Sequence, residues 1–262
     1  PPRTALGAGG ANRHILDQLR AEHLMPAYQP IIELAGGTVY GYEVLARMPD
    51  PAGEGVIPAG KFIPVAQRYG FEHQVDRGMA RALRRDIDGG EVPAGPLFFN
   101  ISPRNLESPR DLEGLLGLLG SGDLPGGYRV TLEVTEREAL DQQEVIEPQL
   151  ALLRSANMRL ALDDFGSGYS NFQNLIRLPL AFLKIDGSLV RHVARECRYR
   201  DLVGSIAELA RSLELPTIAE FVEDGETLAI LRELGVTHAQ GFYLGRPGPA
   251  PGSAAGRTAE KA

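Results

Sequence analysis

The chain has one cysteine in 262 residues. A disulfide within the chain is therefore excluded, and so is a zinc site built from thiolates. That residue, Cys197, sits in the polar stretch Arg195-Glu196-Cys197-Arg198. It reads as an incidental helix residue rather than a nucleophile. A single unpaired thiol fits a reducing compartment, so the expected location is cytoplasmic. Long apolar runs are also missing: none approaches the roughly 18 residues of a membrane helix. The start carries no signal-peptide pattern. It opens on Pro1 rather than Met, which suggests a fragment of a longer protein that a missing segment could anchor to a membrane. Basic charge is scarce, with 27 Lys and Arg against 34 Asp and Glu, for a net charge of −7. That balance argues against a nucleic-acid polymer as partner, where a basic footprint is expected. It leaves room for a small anion held through metal. None of the five histidines (His14, His23, His73, His192, His238) is paired at metal-ligand spacing. They read as surface or core residues.

What is present is an ordinary globular mixture, 43% apolar and 23% charged, long enough for one barrel-sized domain. Residues 1–13 are rich in Pro, Gly and Ala, and residues 248–262 in Pro, Gly, Ala and Ser. Both are expected to be flexible, flanking a domain over 14–247. Inside it, β-rich runs at 27–34, 38–45, 97–101, 129–134, 158–162, 182–185, 216–219 and 238–243 alternate with helical patterns at 58–69, 71–88, 112–119, 145–156, 200–213 and 226–234. Short strands alternating with helices predict βα units and a parallel sheet. That many strands in one such domain predict a (β/α)8, TIM-like barrel. Ala35-Gly36-Gly37 joins the first two runs as a hairpin turn, so one strand is expected to be antiparallel. No internal repeat is evident beyond this alternation.

The most informative stretch is Ala161-Leu162-Asp163-Asp164-Phe165-Gly166-Ser167-Gly168-Tyr169-Ser170. An apolar run ends on two adjacent carboxylates and then a glycine-rich loop. Adjacent carboxylates repel, and a hydrophobic strand ends on them at a cost unless a cation is close. The other runs end in the same manner, on Glu43, Asn100, Glu133 with Glu136, Lys184, Glu220 with Glu223, and Gln240. In a parallel barrel the strand C-termini open on one face, where chemistry sits. Any one of these residues alone could be a solvated strand exit. Acids and amides at nearly every exit predict a shared site. Glu43, Asn100, Glu133, Asp163 and Asp164 offer only oxygen donors, which select Mg²⁺, Mn²⁺ or Ca²⁺ over zinc or copper. Metals would invert the local charge and admit an anion. Two ions about 3.5–4 Å apart suit phosphoester hydrolysis.

Residues 28–247 resemble the EAL-domain cyclic-di-GMP phosphodiesterases. The signature Glu-Ala-Leu stands here as Glu43-Val44-Leu45, followed by Arg47. Tyr28-Gln29-Pro30-Ile31, Asn100-Ile101-Ser102, Glu133-Val134-Thr135-Glu136, Asp163-Asp164-Phe165-Gly166, Lys184-Ile185-Asp186, Ala219-Glu220-Phe221-Val222-Glu223 and Gln240-Gly241-Phe242 are similar to family blocks and follow the family order. Phe221 stands where glycine is common. The resemblance implies hydrolysis of cyclic-di-GMP to linear pGpG, which lowers a bacterial second-messenger signal. It implies two Mg²⁺ or Mn²⁺ ions, with Ca²⁺ inhibitory. One would be held by Glu43, Asn100, Glu133 and Asp163, the other by Asp163, Asp164 and Glu220. Lys184 would orient the attacking water or offset phosphate charge, and Glu220 would serve as base or as ligand. Gln29, Arg47, Asp186 and Gln240 would contact substrate, with Arg47 clamping a phosphate. Glu223 and Gln240 would steady Lys184 and Glu220. Phe165, Gly166 and Glu136 would control a loop that responds to dimerisation. Fusion to a sensor or GGDEF-like domain is expected. Two further readings stand beside the enzyme: a cyclic-di-GMP receptor module that signals through a partner, and a metal-dependent hydrolase of another phosphoester.

Overall fold

The computed structural model describes residues 8–50, 55–120, 122–135, 143–168, 175 and 178–253. The chain runs α1 (Ala8–Arg20), β1 (Met25–Glu33), β2 (Thr38–Pro49), β3 (Val56–Pro58), α2 (Ala59–Tyr69), α3 (Glu72–Asp88), β4 (Pro96–Asn100), α4 (Pro103–Glu107) and α5 (Pro109–Leu119). It continues through β5 (Asp123–Leu124), β6 (Tyr128–Thr135), α6 (Gln143–Ser155), β7 (Arg159–Phe165), β8 (Leu180–Ile185), α7 (Gly187–Val190), α8 (Cys197–Ser212), β9 (Thr217–Ala219), α9 (Gly225–Glu233) and β10 (His238–Ala239).

Eight strands close a ring in the order β1-β10-β9-β8-β7-β6-β4-β2, and β2 pairs back onto β1. This is the expected barrel. β1 is antiparallel to both of its neighbours, while the other barrel pairs are parallel. The hairpin turn causes the reversal: Gly37 has φ 68 and its N–H donates to the Glu33 carbonyl at 2.9 Å. A left-handed residue suits glycine, which has no Cβ to clash. The β1–β2 register sets Gln29 directly opposite Glu43.

β4, β6, β7 and β8 are buried along nearly their whole length, as strands covered on both faces must be. Their outward residues pack on the helices. Inside the barrel, Ile31 of β1, Phe98 of β4, Ala161 of β7, Phe182 of β8 and Ile218 of β9 form a plug. The Phe98 and Phe182 rings meet edge-to-face at 5.0 Å. Because side chains alternate along a strand, the next inward layer lies two residues onward. From Phe98, Ala161, Phe182 and Ile218 that step reaches Asn100, Asp163, Lys184 and Glu220. On the reversed β1 it runs backward, from Ile31 to Gln29.

Several expectations need correction. β2 continues past Leu45 to Pro49 because β3 pairs with its end. The last strand stops at Ala239 instead of Tyr243. Gly241 there lies against the Val222 backbone, where a Cβ would come within 2.2 Å of two backbone atoms. Residues 8–13, within the segment expected to be flexible, belong to helix α1, whose Ile15 and Leu19 are buried; residues 1–7 lie outside the described residues. The C-terminal segment is likewise tied down at first. Gly248 bridges to Tyr28, and the Gly252 N–H donates to the Glu91 carbonyl at 2.7 Å. Residues 254–262 lie outside the described residues.

Candidate metal and active site

Lys184 is the centre of the barrel mouth. It lies on β8, one inward layer above the plug, and is fully buried. Its Nζ is 2.8 Å from Glu133 Oε1, 2.8 Å from Glu220 Oε1, 3.2 Å from Asp163 Oδ1 and 3.7 Å from Glu43 Oε2. Strands β2, β6 and β7 and the residue just past β9 thus each supply one carboxylate to a single ammonium.

Side-chain amides hold one of these acids, Glu43. Asn100 Nδ2 donates to Glu43 Oε1 at 3.1 Å, and Gln240 Nε2 donates to Glu43 Oε2. Gln240 Nε2 also donates to Gln29 Oε1 at 3.0 Å, and Gln29 Nε2 donates to the Gly245 carbonyl at 3.0 Å. Gln29 and Gln240 are buried, so in this arrangement they orient Glu43. Asp164 follows Asp163 in a left-handed conformation, φ 56, and its N–H donates to Asp163 Oδ1 at 2.9 Å. That twist turns the second carboxylate back toward the first. Ligand oxygens of Asp163, Asp164 and Glu220 all lie within 4.8 Å of one another.

The electrostatics follow from crowding. Burial raises the Glu43 carboxyl, but the Lys184 ammonium and hydrogen bonds from Gln240 and Asn100 outweigh it and hold the group below its usual value. Burial and the neighbouring Glu43 charge push Glu133 well up, against the pull of Lys184. Burial raises Glu220 to about 8, with Lys184 opposing and Asp163 and Glu43 adding. Burial, Asp163 and Asp186 raise Asp164 to about 6. Lys184 itself is raised well above its ordinary value because the surrounding acids overcome its desolvation. One ammonium therefore does not neutralise the cluster, and part of it holds protons near neutral pH. Divalent cations would replace those protons. The donor set is all oxygen, so the residues fit hard cations such as Mg²⁺ or Mn²⁺.

Two cavities meet at Glu43. One of about 350 Å³ is lined by Gln29, Arg47, Asp163, Glu220 and Phe242. The other, about 280 Å³, includes Asn100 and Glu133. Arg47 is half-buried, its Nη1 donating to the Ala46 carbonyl at 2.9 Å. Burial lowers its pKa, with Glu43 opposing. Glu223 lines the first cavity. Asp186 accepts from the Ser188 N–H at 3.0 Å, which caps α7, and its charge also acts on Asp164. Phe165 is core. Gly166 has φ 96, and a Cβ there would meet Leu189 at 2.4 Å. Glu136, Tyr169 and Ser170 lie outside the described residues.

Aromatic residues on the rim carried little signal in the sequence. Phe221 has φ 55 and is exposed, with the Arg191 guanidinium 4.2 Å from its ring centroid. Arg246 sits 4.3 Å over the Phe242 ring. The Phe221–Arg191 pair depends on an approach between separate segments, which no local pattern announces, whereas Phe242 and Arg246 are four residues apart in one loop.

Comparison with known proteins places the chain among similar sequences and folds. The chain is 33% identical over 230 residues to the probable cyclic di-GMP phosphodiesterase PdeG of Escherichia coli strain K12, covering 86% of this chain and 44% of that protein. Among solved structures, the PaMucR phosphodiesterase in complex with c-di-GMP matches with a TM-score of 0.77 and 30% identity, over 92% of this chain and 98% of that one. BlrP1 of Klebsiella pneumoniae, in a calcium and cy-diGMP complex, matches with a TM-score of 0.71 and 30% identity, over 86% and 56%. The chain spans 29% to 46% of the length of four curated relatives that it matches. A family model described as EAL domain matches residues 12–247, and the chain belongs to that family.

Proposed function

We propose that this chain hydrolyses one phosphodiester of cyclic-di-GMP to give linear pGpG. The observation that carries this reading is the set of four carboxylates around Lys184 at the C-terminal mouth of the barrel. Such a cluster is costly to bury without further cations, and relatives of similar sequence are phosphodiesterases of this dinucleotide.

Glu43, Asn100, Glu133 and Asp163 would hold one Mg²⁺ or Mn²⁺, and Asp163, Asp164 and Glu220 a second. Bound there, the ions lower the pKa of a water and offset phosphate charge. The chain's own groups do the rest. Arg47, on the rim, pairs its planar fork with a phosphate, a geometry that lysine cannot reproduce. Lys184 Nζ would stabilise negative charge that builds up in the transition state. Glu220 would accept a proton at its carboxylate when not fully engaged as a ligand. Gln240 and Gln29 keep Glu43 oriented. Water adds to phosphorus, the bond to the 3′ oxygen breaks, and that oxygen leaves with a proton.

The backbone of Gly166 and Gly168, at φ 96 and 129, suits a loop that changes conformation. We assign it a control role with Glu136, in a homodimer. We further place the chain as a module of a longer cytoplasmic signalling protein with a sensor or GGDEF-like domain. In support, the curated relatives are longer than this chain, and no helix among the described residues is long and apolar enough to cross a membrane.

The test is turnover. Purified protein with Mn²⁺ or Mg²⁺ should convert cyclic-di-GMP to pGpG on chromatography, and a chelator or Asp163→Asn should abolish conversion. Tight binding with no turnover in either metal would replace this reading with the receptor. Comparable turnover of an adenine dinucleotide or an aryl phosphate would replace the substrate.

A further inference from the structure

Asp76 is a buried carboxylate outside the barrel, on α3. Its Oδ2 accepts from the Ser102 N–H at 2.8 Å and from Asn105 Nδ2 at 2.6 Å. Ser102 is two residues beyond Asn100, which ends β4 and donates to Glu43. Between them, the Ile101 N–H donates to the Glu133 carbonyl at 3.2 Å. The segment after β4 is thus fixed on the barrel side by Glu133 and on the helix side by Asp76. Ser102 is the N-cap of α4, yet its side chain makes no capping bond. The external carboxylate supplies the anchor instead. Asp76 also lines the cavity that contains Asn100, Glu43 and Glu133.

An apolar residue would pack in this position without the desolvation cost of a carboxylate. What the acid adds is direction: one oxygen gathers two donors, the Ser102 N–H and Asn105 Nδ2 of α4, from the segment that follows Asn100. We propose that Asp76 is a positioning residue for the metal-binding side of the mouth, acting through Ser102 and Asn105 on Asn100, and through Asn100 on Glu43. This rests on the reading that those residues hold metal. Residues that orient metal ligands typically change affinity about 10- to 100-fold when lost.

The experiment compares Asp76→Ala, Asp76→Asn, Asn105→Ala and Tyr128→Phe. Tyr128 donates to the Val92 carbonyl at 2.7 Å, at the opposite end of the barrel, and controls for lost stability alone. Mn²⁺ affinity is measured by calorimetry on each protein, beside its thermal midpoint and its kcat and KM for cyclic-di-GMP. Asp76→Ala should weaken Mn²⁺ binding about tenfold or more and lower kcat with KM little changed. Asp76→Asn keeps an oxygen for both donors and should stay within about threefold of wild type, since the bonds and not the charge set the geometry. Asn105→Ala, a milder lesion that serves if Asp76→Ala does not fold, should fall between the two. Tyr128→Phe should melt earlier with wild-type Mn²⁺ affinity. Wild-type affinity in Asp76→Ala, or in Asn105→Ala where the former does not fold, would overturn the proposal. So would an equal loss of affinity in Tyr128→Phe. Mn²⁺ binding by the wild type with no turnover would sink the substrate reading and leave the affinity comparison intact. A wild type that binds no Mn²⁺ would sink both.

Discussion

Replacing Lys184 with methionine keeps most of the side-chain volume and removes the charge that four acids share. Its Nζ is fully buried and within 3.7 Å of Glu43, Glu133, Asp163 and Glu220. Breaking a buried ion pair by removing one partner costs about 3–5 kcal/mol. In a chain of this size each kcal/mol moves the midpoint about 2–4 °C. Without metal at pH 8, Lys184→Met should therefore melt on the order of 10 °C below wild type. The pH dependence has a definite sign. Glu220, raised to about 8, and Asp164, raised to about 6, bind protons in the folded chain at pH values where the unfolded chain has released them. Metal-free stability should therefore fall as pH rises from about 5 to 8. Lys184 stays charged across that window, because its folded pKa lies well above its ordinary value. The variant's deficit should shrink toward pH 5, where the acids are protonated without help. Mn²⁺ should raise the variant's midpoint more than that of wild type. The assay is differential scanning fluorimetry at pH 5, 6.5 and 8, with chelator or with Mn²⁺. Equal midpoints at pH 8 in chelator, or a deficit that grows toward pH 5, would refute the electrostatic account.

Phe98→Ala empties the centre of the barrel plug and should cost about 3–5 kcal/mol in urea denaturation; a loss under about 1 kcal/mol would mean that the interior closes over the gap. Gly241→Ala sets a Cβ 2.2 Å from the Val222 backbone and should destabilise by about 1–3 kcal/mol. Because Gln240 is its neighbour, the same variant should weaken Mn²⁺ binding, and calorimetry with wild-type affinity would show that the two are uncoupled. His238, buried beside Tyr40 and Phe182, is held below its usual pKa chiefly by desolvation. Its contribution is present above about pH 6.5 and is lost as pH falls below that. The stability of wild type relative to His238→Phe should decline across that range; parallel stability curves would exclude it.

Much of the site was legible because a barrel converts strand ends into neighbours. Asp163, Lys184 and Glu220 each sit two residues past a plug residue, and period-two alternation alone puts them on one inward layer. Gln29 breaks the pattern. It precedes its plug residue because β1 runs the other way, so only the hairpin register shows that it faces Glu43. The Pro/Gly/Ala composition of the first residues suggested flexibility, yet α1 begins at Ala8 because Ile15 and Leu19 find a place in the core. Asp76 was silent: on a helix a lone acid usually faces solvent, and its partners lie 26 and 29 residues away.

From the order of its residues alone, this protein was bound to an alternating βα barrel, to oxygen ligands rather than sulfur, and to a cluster of acids in want of cations. Those properties are local or periodic. The tertiary structure decided which acid faces which, that Lys184 stands among four of them, and which carboxylates retain protons. Such outcomes depend on distance and on exclusion of water, and both arise only when the ring of strands closes.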